Sequence, residues 1–165
     1  MTDNAAEQLV RRLAELLLAR GQFVVTAESC TGGGIARRLT AVPGSSHWFE
    51  RGWVTYSNAA KREDLGVPED ILARCGAVSE ETAAAMARGA LDRSHGHVSV
   101  AVTGIAGPEG GSADKPVGTV CFAWSLRDGE TRSTRVAFEG DRTAIREQSE
   151  LMAIQGLVDM LESQE

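Results

Sequence analysis

The sequence predicts an α/β fold, a three-layer α/β/α sandwich built on a mixed sheet. Three observations carry that prediction: β-branched apolar runs alternate with amphipathic helical stretches, two of the runs end in glycine-rich turns, and a hairpin signal joins the last two strands. The 165 residues are read as a single domain spanning 1–165, long enough to close such a core without disulfides or metal.

Residues 5–20 form the first expected helix, because Leu9, Val10, Leu13, Leu16 and Leu17 fall on one face and Gly21 is placed to end it. That spacing is helical rather than continuous, which argues against a signal peptide or a membrane span. "QFVVTAES" follows as a buried strand, and "TGGGIARRLTAV" resumes a helical pattern closed by Pro43 and Gly44. "SSHWFERGWVTYSN" has the aromatic and β-branched content of a strand, and Asn58 is read as the N-cap of "AAKREDLG". A further helix is expected over "PEDILARCG", and Ser79 with Glu80 and Glu81 opens a longer one to about Ser94. The apolar strand "HVSVAVTG" then runs into the turn "TGIAGPEGG". "VGTVCFAWSL" and "ETRSTRVAFEG" make a hairpin across "RDG", and Asp141 caps the last helix, residues 142–163.

Composition narrows the function classes. Hydrophobic content of 42% and charged content of 24% are those of an ordinary globular protein. The net charge of −6 argues against a general nucleic-acid binder, but a small anionic ligand responds only to the local field. Cys30, Cys75 and Cys121 are widely separated and include no C-x-x-C pair, the pattern of reduced thiols in a cytoplasmic protein. His95 and His97 have no third ligand near them in sequence, so neither a metal site nor a cofactor is expected.

The residues with chemical potential gather at "TAESCTGGG", 26–34. A strand that hands over to a helix through glycines presents unpaired backbone N–H groups, which stabilise an anion or a developing oxyanion. Ser29, at the strand end, projects over that position as a candidate nucleophile, and Thr31 is the candidate helix N-cap. Cys30 is a rival nucleophile, although none of His47, His95 and His97 stands in a setting that would activate it. A phosphate cradle with no nucleophile is the third reading of the same stretch. A serine needs a base, and Lys61 in "TYSNAAK" is the candidate. With Asn58 as cap, Lys61 is the third helical residue, where the helix dipole and burial would lower its pKa from about 10.4. An ordinary solvated lysine is the alternative. Thr103, Gly104, Ala106 and Gly107 follow a strand expected at the same sheet edge and either line a pocket or simply turn the chain. Lys115 and Arg142 are candidate phosphate contacts.

"TAESCTGG", "GSSHWFERGWVTYSNAAKREDLGV", "GAVS", "TGIAGPEGG", "KPVGTV" and "GDR" occur here in the order found in the C-terminal domain of the competence and damage-inducible protein CinA, so the chain resembles that family over essentially its whole length. Its length resembles that of free-standing members, which lack the additional N-terminal domain. The resemblance implies a metal-independent serine/lysine amidohydrolase that converts nicotinamide mononucleotide to nicotinate mononucleotide and ammonia. The serine of "AESC" is then Ser29 and the lysine of "YSNxxK" is Lys61, with Tyr56 and Thr103 orienting lysine or substrate. The expected substrate-binding set is Glu28, Cys30, Thr31, Gly32, Gly33, Gly104, Ala106, Gly107 and Arg142. The relatives imply a homo-oligomer and a small nucleotide substrate, while the net charge and the helical spacing of the apolar residues lead to no expected nucleic-acid or membrane partner. Two residues depart from the family pattern: Gly34 stands where a bulkier residue is common, and Thr103 replaces the serine of "SGIAGP". A nucleotide-binding or regulatory module without turnover is the alternative function.

Overall fold

A computed structural model describes residues 3–164. The elements run α1 (Asp3–Arg20), β1 (Val24–Glu28), α2 (Gly34–Thr40), a 3-10 turn (Ser45–His47), β2 (Phe49–Val54), α3 (Asn58–Leu65), α4 (Glu69–Cys75) and α5 (Glu80–Asp92). β3 (Val98–Gly104), β4 (Thr119–Leu126), β5 (Thr131–Ala137) and α6 (Arg142–Glu162) complete the chain. The five strands form one mixed sheet in the order β2-β1-β3-β4-β5. β2, β1 and β3 are parallel, whereas β4 and β5 run antiparallel to their neighbours.

The alternation along β1 explains the layers. Val24 joins Val98, Val100, Phe122 and Trp124 under α1, α2 and α6, whose buried faces supply Leu13, Leu17, Ile35, Leu39, Ile154 and Leu157. Val25 and Ala27 point the other way, with Ala101 and Ala123, into a core closed by Leu65, Leu72 and the alanine-rich face of α5. Helices on both faces of the sheet are what the sequence predicts. α6 packs closely enough that a Cβ added at Gly156 would strike the Trp124 indole, whose Nε1 donates to Ala153 O at 2.9 Å.

Two local expectations are corrected. The first expected helix after β1 is shorter than "TGGGIARRLTAV", because Gly32 and Gly33 adopt positive φ and the helix begins only at Gly34. The stretch from Ser45 to Asn58 is not one strand: a 3-10 turn precedes a six-residue strand, and Ser57 rather than Asn58 caps α3, its Oγ accepting from Ala60 N at 3.0 Å.

The register of the parallel strands builds the site. Glu28 is level with Val54 on one side and Val102 on the other, so Ser29 and Thr55 leave the sheet at one carboxyl edge, beside Thr103 near the end of β3. Ser29 N donates to Val102 O at 3.0 Å and Thr55 N to Glu28 O at 2.8 Å, extending both ladders by one residue. In an open α/β sheet this edge, where successive connections leave to opposite sides of β1, is where ligands bind.

Candidate active site

The turn after β1 brings Ser29 to the start of α3. Lys61, 1% exposed, reaches Ser29 Oγ with its Nζ at 3.0 Å. The same Nζ lies 2.8 Å from Thr55 O and 3.5 Å from Tyr56 O, and each carbonyl can take one N–H. A neutral amine has two N–H bonds and one lone pair. With the carbonyls as acceptors, the lone pair is left for the Ser29 hydroxyl. Burial lowers the Lys61 pKa from 10.5, and no carboxylate bonds to the amine among the described residues to restore it. Ser57 as cap makes Lys61 the fourth helical residue rather than the third.

Cys30 has the opposite character. Its side chain belongs to the core under α1, α2 and α6, and burial pushes its thiol up to about 12. The nucleophilic form is the thiolate, so the rival reading of the turn loses its chemistry.

Several expected site residues have other work. Thr31 does not cap α2: Gly33 stands at that position with φ 96, and the Thr31 hydroxyl donates to Glu28 Oε1 at 2.6 Å. Glu28 is the cap instead, accepting from Ile35 N at 2.9 Å and Ala36 N at 3.0 Å. Both side chains, expected as substrate ligands, are buried and bonded to each other. Thr103, expected to orient lysine or substrate, donates its hydroxyl to Ala77 O at 2.8 Å, which ties the segment before α5 to the end of β3. Tyr56 is 61% exposed, and its carbonyl, not its phenol, is what approaches Lys61.

Arg142, at the start of α6, donates to Gly107 O at 2.8 Å and to the Tyr56 hydroxyl at 3.3 Å, joining the second glycine-rich turn to the end of β2. Gly104 lies within β3 against Val120, and Ala106 is in the core, so both can meet a ligand only through backbone. Lys115 donates to Cys75 O at 2.6 Å, at the C-terminal end of α4. Arg146 was not among the sequence candidates. It donates through Nε to Cys30 O at 3.1 Å and through Nη2 to Thr31 O at 3.3 Å, and it lines a cleft of about 310 Å³ with Gly32, Gly33 and Arg37. The signal available in sequence was its spacing of four from Arg142, which puts both guanidiniums on one face of α6.

Against known proteins, residues 6–161 match the family model described as the CinA C-terminal domain. The chain belongs to the CinA C-terminal domain family. Within that family it is 51% identical over 157 residues to the nicotinamide-nucleotide amidohydrolase PncC of Escherichia coli strain K12, covering 95% of each chain. It is 54% identical over 153 residues to the PncC of Pseudomonas putida, covering 92% of this chain and 94% of that one. The crystal structure of the competence/damage inducible protein CihA from Agrobacterium tumefaciens superposes with a TM-score of 0.92 at 47% identity, covering 94% of both chains. Membership agrees with the mixed sheet and with the order of motifs along it. Among the described residues no helix is long and apolar enough to cross a membrane, and no cluster of three metal-binding side chains occurs.

Proposed function

We propose that this member of the family is an amidohydrolase that converts nicotinamide mononucleotide to nicotinate mononucleotide and ammonia through Ser29 and Lys61. The observation that carries the mechanism is the 3.0 Å contact between a buried, carbonyl-held Lys61 Nζ and Ser29 Oγ. The relatives named for this activity, alike over nearly the full chain, support the substrate.

Neutral Lys61 takes the Ser29 hydroxyl proton as Oγ bonds to the carboxamide carbon. The carbonyl becomes an oxyanion that needs backbone donors. Ser29 N is committed to Val102 O, Gly32 N to Ser29 O and Gly34 N to Thr31 O, which leaves the amides of Cys30, Thr31 and Gly33 in this turn. The C–N bond then breaks as Lys61 returns its proton to the departing nitrogen, releasing ammonia. Lys61, neutral again, activates a water that cleaves the serine ester and regenerates Ser29.

Elimination and charge support a phosphate site at the start of α6. Glu28 occupies the first turn of α2, so a second anion there would meet a carboxylate. Among the described residues Arg142 and Arg146 donate to carbonyl and hydroxyl oxygens and bond to no acid, although Glu147 and Glu150 line the same cleft as Arg146. Arg146, beside the Gly32 and Gly33 backbone, and Arg142, on the Gly107 turn, are the proposed phosphate contacts.

The test is ammonia release from nicotinamide mononucleotide with a chelator present, wild type beside Ser29→Ala, with Arg146→Ala as a third arm. Release by wild type, none by Ser29→Ala and a raised KM for Arg146→Ala are expected. No release by wild type, with the nucleotide still bound by calorimetry, would make the protein a binding module.

A further inference from the structure

Glu28 takes no part in the chemistry above, yet it touches both halves of the site. Its side chain, 1% exposed, accepts three hydrogen bonds: Oε1 from the Thr31 hydroxyl at 2.6 Å and from Ile35 N at 2.9 Å, and Oε2 from Ala36 N at 3.0 Å. The carboxylate thus bridges from the end of β1, across the five turn residues 29–33, to the first turn of α2. The backbone of the same residue works in the other direction. Glu28 O accepts from Thr55 N at 2.8 Å, and Thr55 O accepts from Lys61 Nζ at 2.8 Å. Glu28 is therefore covalently joined to the candidate nucleophile and one peptide unit removed from the candidate base.

We propose that Glu28 is a positioning residue of the dyad: its carboxylate clamps the 29–33 turn to α2 and so holds Ser29 Oγ against Lys61 Nζ. This rests on the Ser29/Lys61 reading of the site. A buried carboxylate is unfavourable unless its oxygens are satisfied, and here three donors and the positive end of a helix offset part of that cost, while burial still raises the Glu28 pKa above the usual carboxylate range. The clamp has an outer wall as well. Glu150 on α6, paired with Arg38 at 2.8 Å, lies so close to Gly34 that a Cβ there would sit 2.5 to 2.7 Å from the Glu150 carboxyl atoms. Gly34, the departure from the family pattern, lets α6 press on the helix entrance that Glu28 holds from within. The charged groups around the clamp are accordingly Glu150 and Arg38 outside it, Arg146 on the Cys30 and Thr31 carbonyls, and Lys61 beyond Thr55.

The experiment compares Glu28→Ala, Glu28→Gln and Thr31→Val with wild type, Ser29→Ala and Gly156→Ala, the last a destabilising change at the far end of α6. Three quantities are read: kcat and KM for ammonia release from nicotinamide mononucleotide, the melting temperature, and the pH midpoint for modification of Ser29 by a fluorophosphonate. Glu28→Ala, folded by circular dichroism, is expected to lose about 10- to 100-fold in kcat with KM within about twofold, because a misplaced nucleophile loses rate without losing ground-state binding. Its modification midpoint moves up as water reaches Lys61. Glu28→Gln keeps a carbonyl oxygen for Thr31 and Ile35, and Thr31→Val keeps both backbone bonds, so each shows the same signature at smaller amplitude. These two decide the matter if Glu28→Ala does not fold. Gly156→Ala melts lower but keeps the wild-type kcat and midpoint below its melting range. If the Glu28 and Thr31 variants behave like Gly156→Ala, Glu28 is a helix cap and nothing more. An active Ser29→Ala in the same assay overturns the dyad and this inference with it.

Discussion

Replacing Lys61 with methionine separates what the amine does for catalysis from what it costs the fold. Methionine keeps an unbranched stem of similar length in a site that is 1% exposed, and removes the nitrogen 3.0 Å from Ser29 Oγ. Loss of a positioned general base costs about 10²- to 10⁴-fold in rate, or about 2.7–5.5 kcal/mol in the barrier. Stability follows a different account. The folded pKa of Lys61 lies below 10.5, so between the two values the folded protein binds fewer protons than the unfolded chain. Wild type therefore gains stability as pH rises through that window and loses it as pH falls through the folded value, each unit of displacement being about 1.4 kcal/mol. Methionine removes this slope. Against the relief, Thr55 O loses its 2.8 Å donor, at about 1–3 kcal/mol for a buried acceptor, while the 3.5 Å contact to Tyr56 O contributes little. The two effects oppose one another, so at neutral pH Lys61→Met should melt close to wild type, and any advantage it has should shrink as pH approaches 10.5. Ammonia release and thermal melts across that range, on both proteins, test the whole chain of reasoning. In wild type kcat/KM should rise with pH through the folded Lys61 value. A variant that turns over within tenfold of wild type at neutral pH, or that retains the same rise, refutes lysine as the base.

Two further outcomes follow from the placement of neighbouring side chains. Cys30→Ala should retain wild-type kcat within a few-fold and melt slightly lower, and maleimide at neutral pH should not inactivate the wild-type enzyme through Cys30, whose thiol ionises only near pH 12. Thr103→Val should keep kcat within a few-fold while losing about 1–3 kcal/mol of stability through the unpaired Ala77 carbonyl, measured by urea denaturation. A hundredfold fall in kcat would restore Thr103 to the chemistry.

What could be read from the sequence is what short-range pattern controls. The β-branched run before Ser29 marks a strand buried on both faces, the alanine face of α5 has a period that assigns a helix and its buried side, and both layers of helix follow from such runs. Ser29 and Lys61 were legible because one stands at a strand end and the other near a helix start. Their 3.0 Å contact was not, since it depends on β2 lying beside β1 in parallel. Thr31 and Asn58 were misread as caps for a related reason. A cap is chosen by local hydrogen bonding, and in these two places a competing acceptor, the Glu28 carboxylate seven residues before Ile35 and the Ser57 hydroxyl beside Asn58, takes the position. Tyr56 shows a further limit: a residue name suggests a side chain, whereas here a carbonyl makes the approach to Lys61.

The sheet order has a consequence for how activity and integrity are related. β2 is an edge strand, paired only with β1 and partly exposed along its length, and its pairing shifts register between Val24 and Val25 of β1. The two carbonyls that hold Lys61 come directly after it. An edge of this kind opens at lower free energy than a sheet centre, without the rest of the domain unfolding. Each such opening would draw Lys61 away from Ser29 while β3, β4 and β5 remain zipped, so on the proposed mechanism the reactive fraction would follow the looseness of one strand rather than the strength of the whole fold.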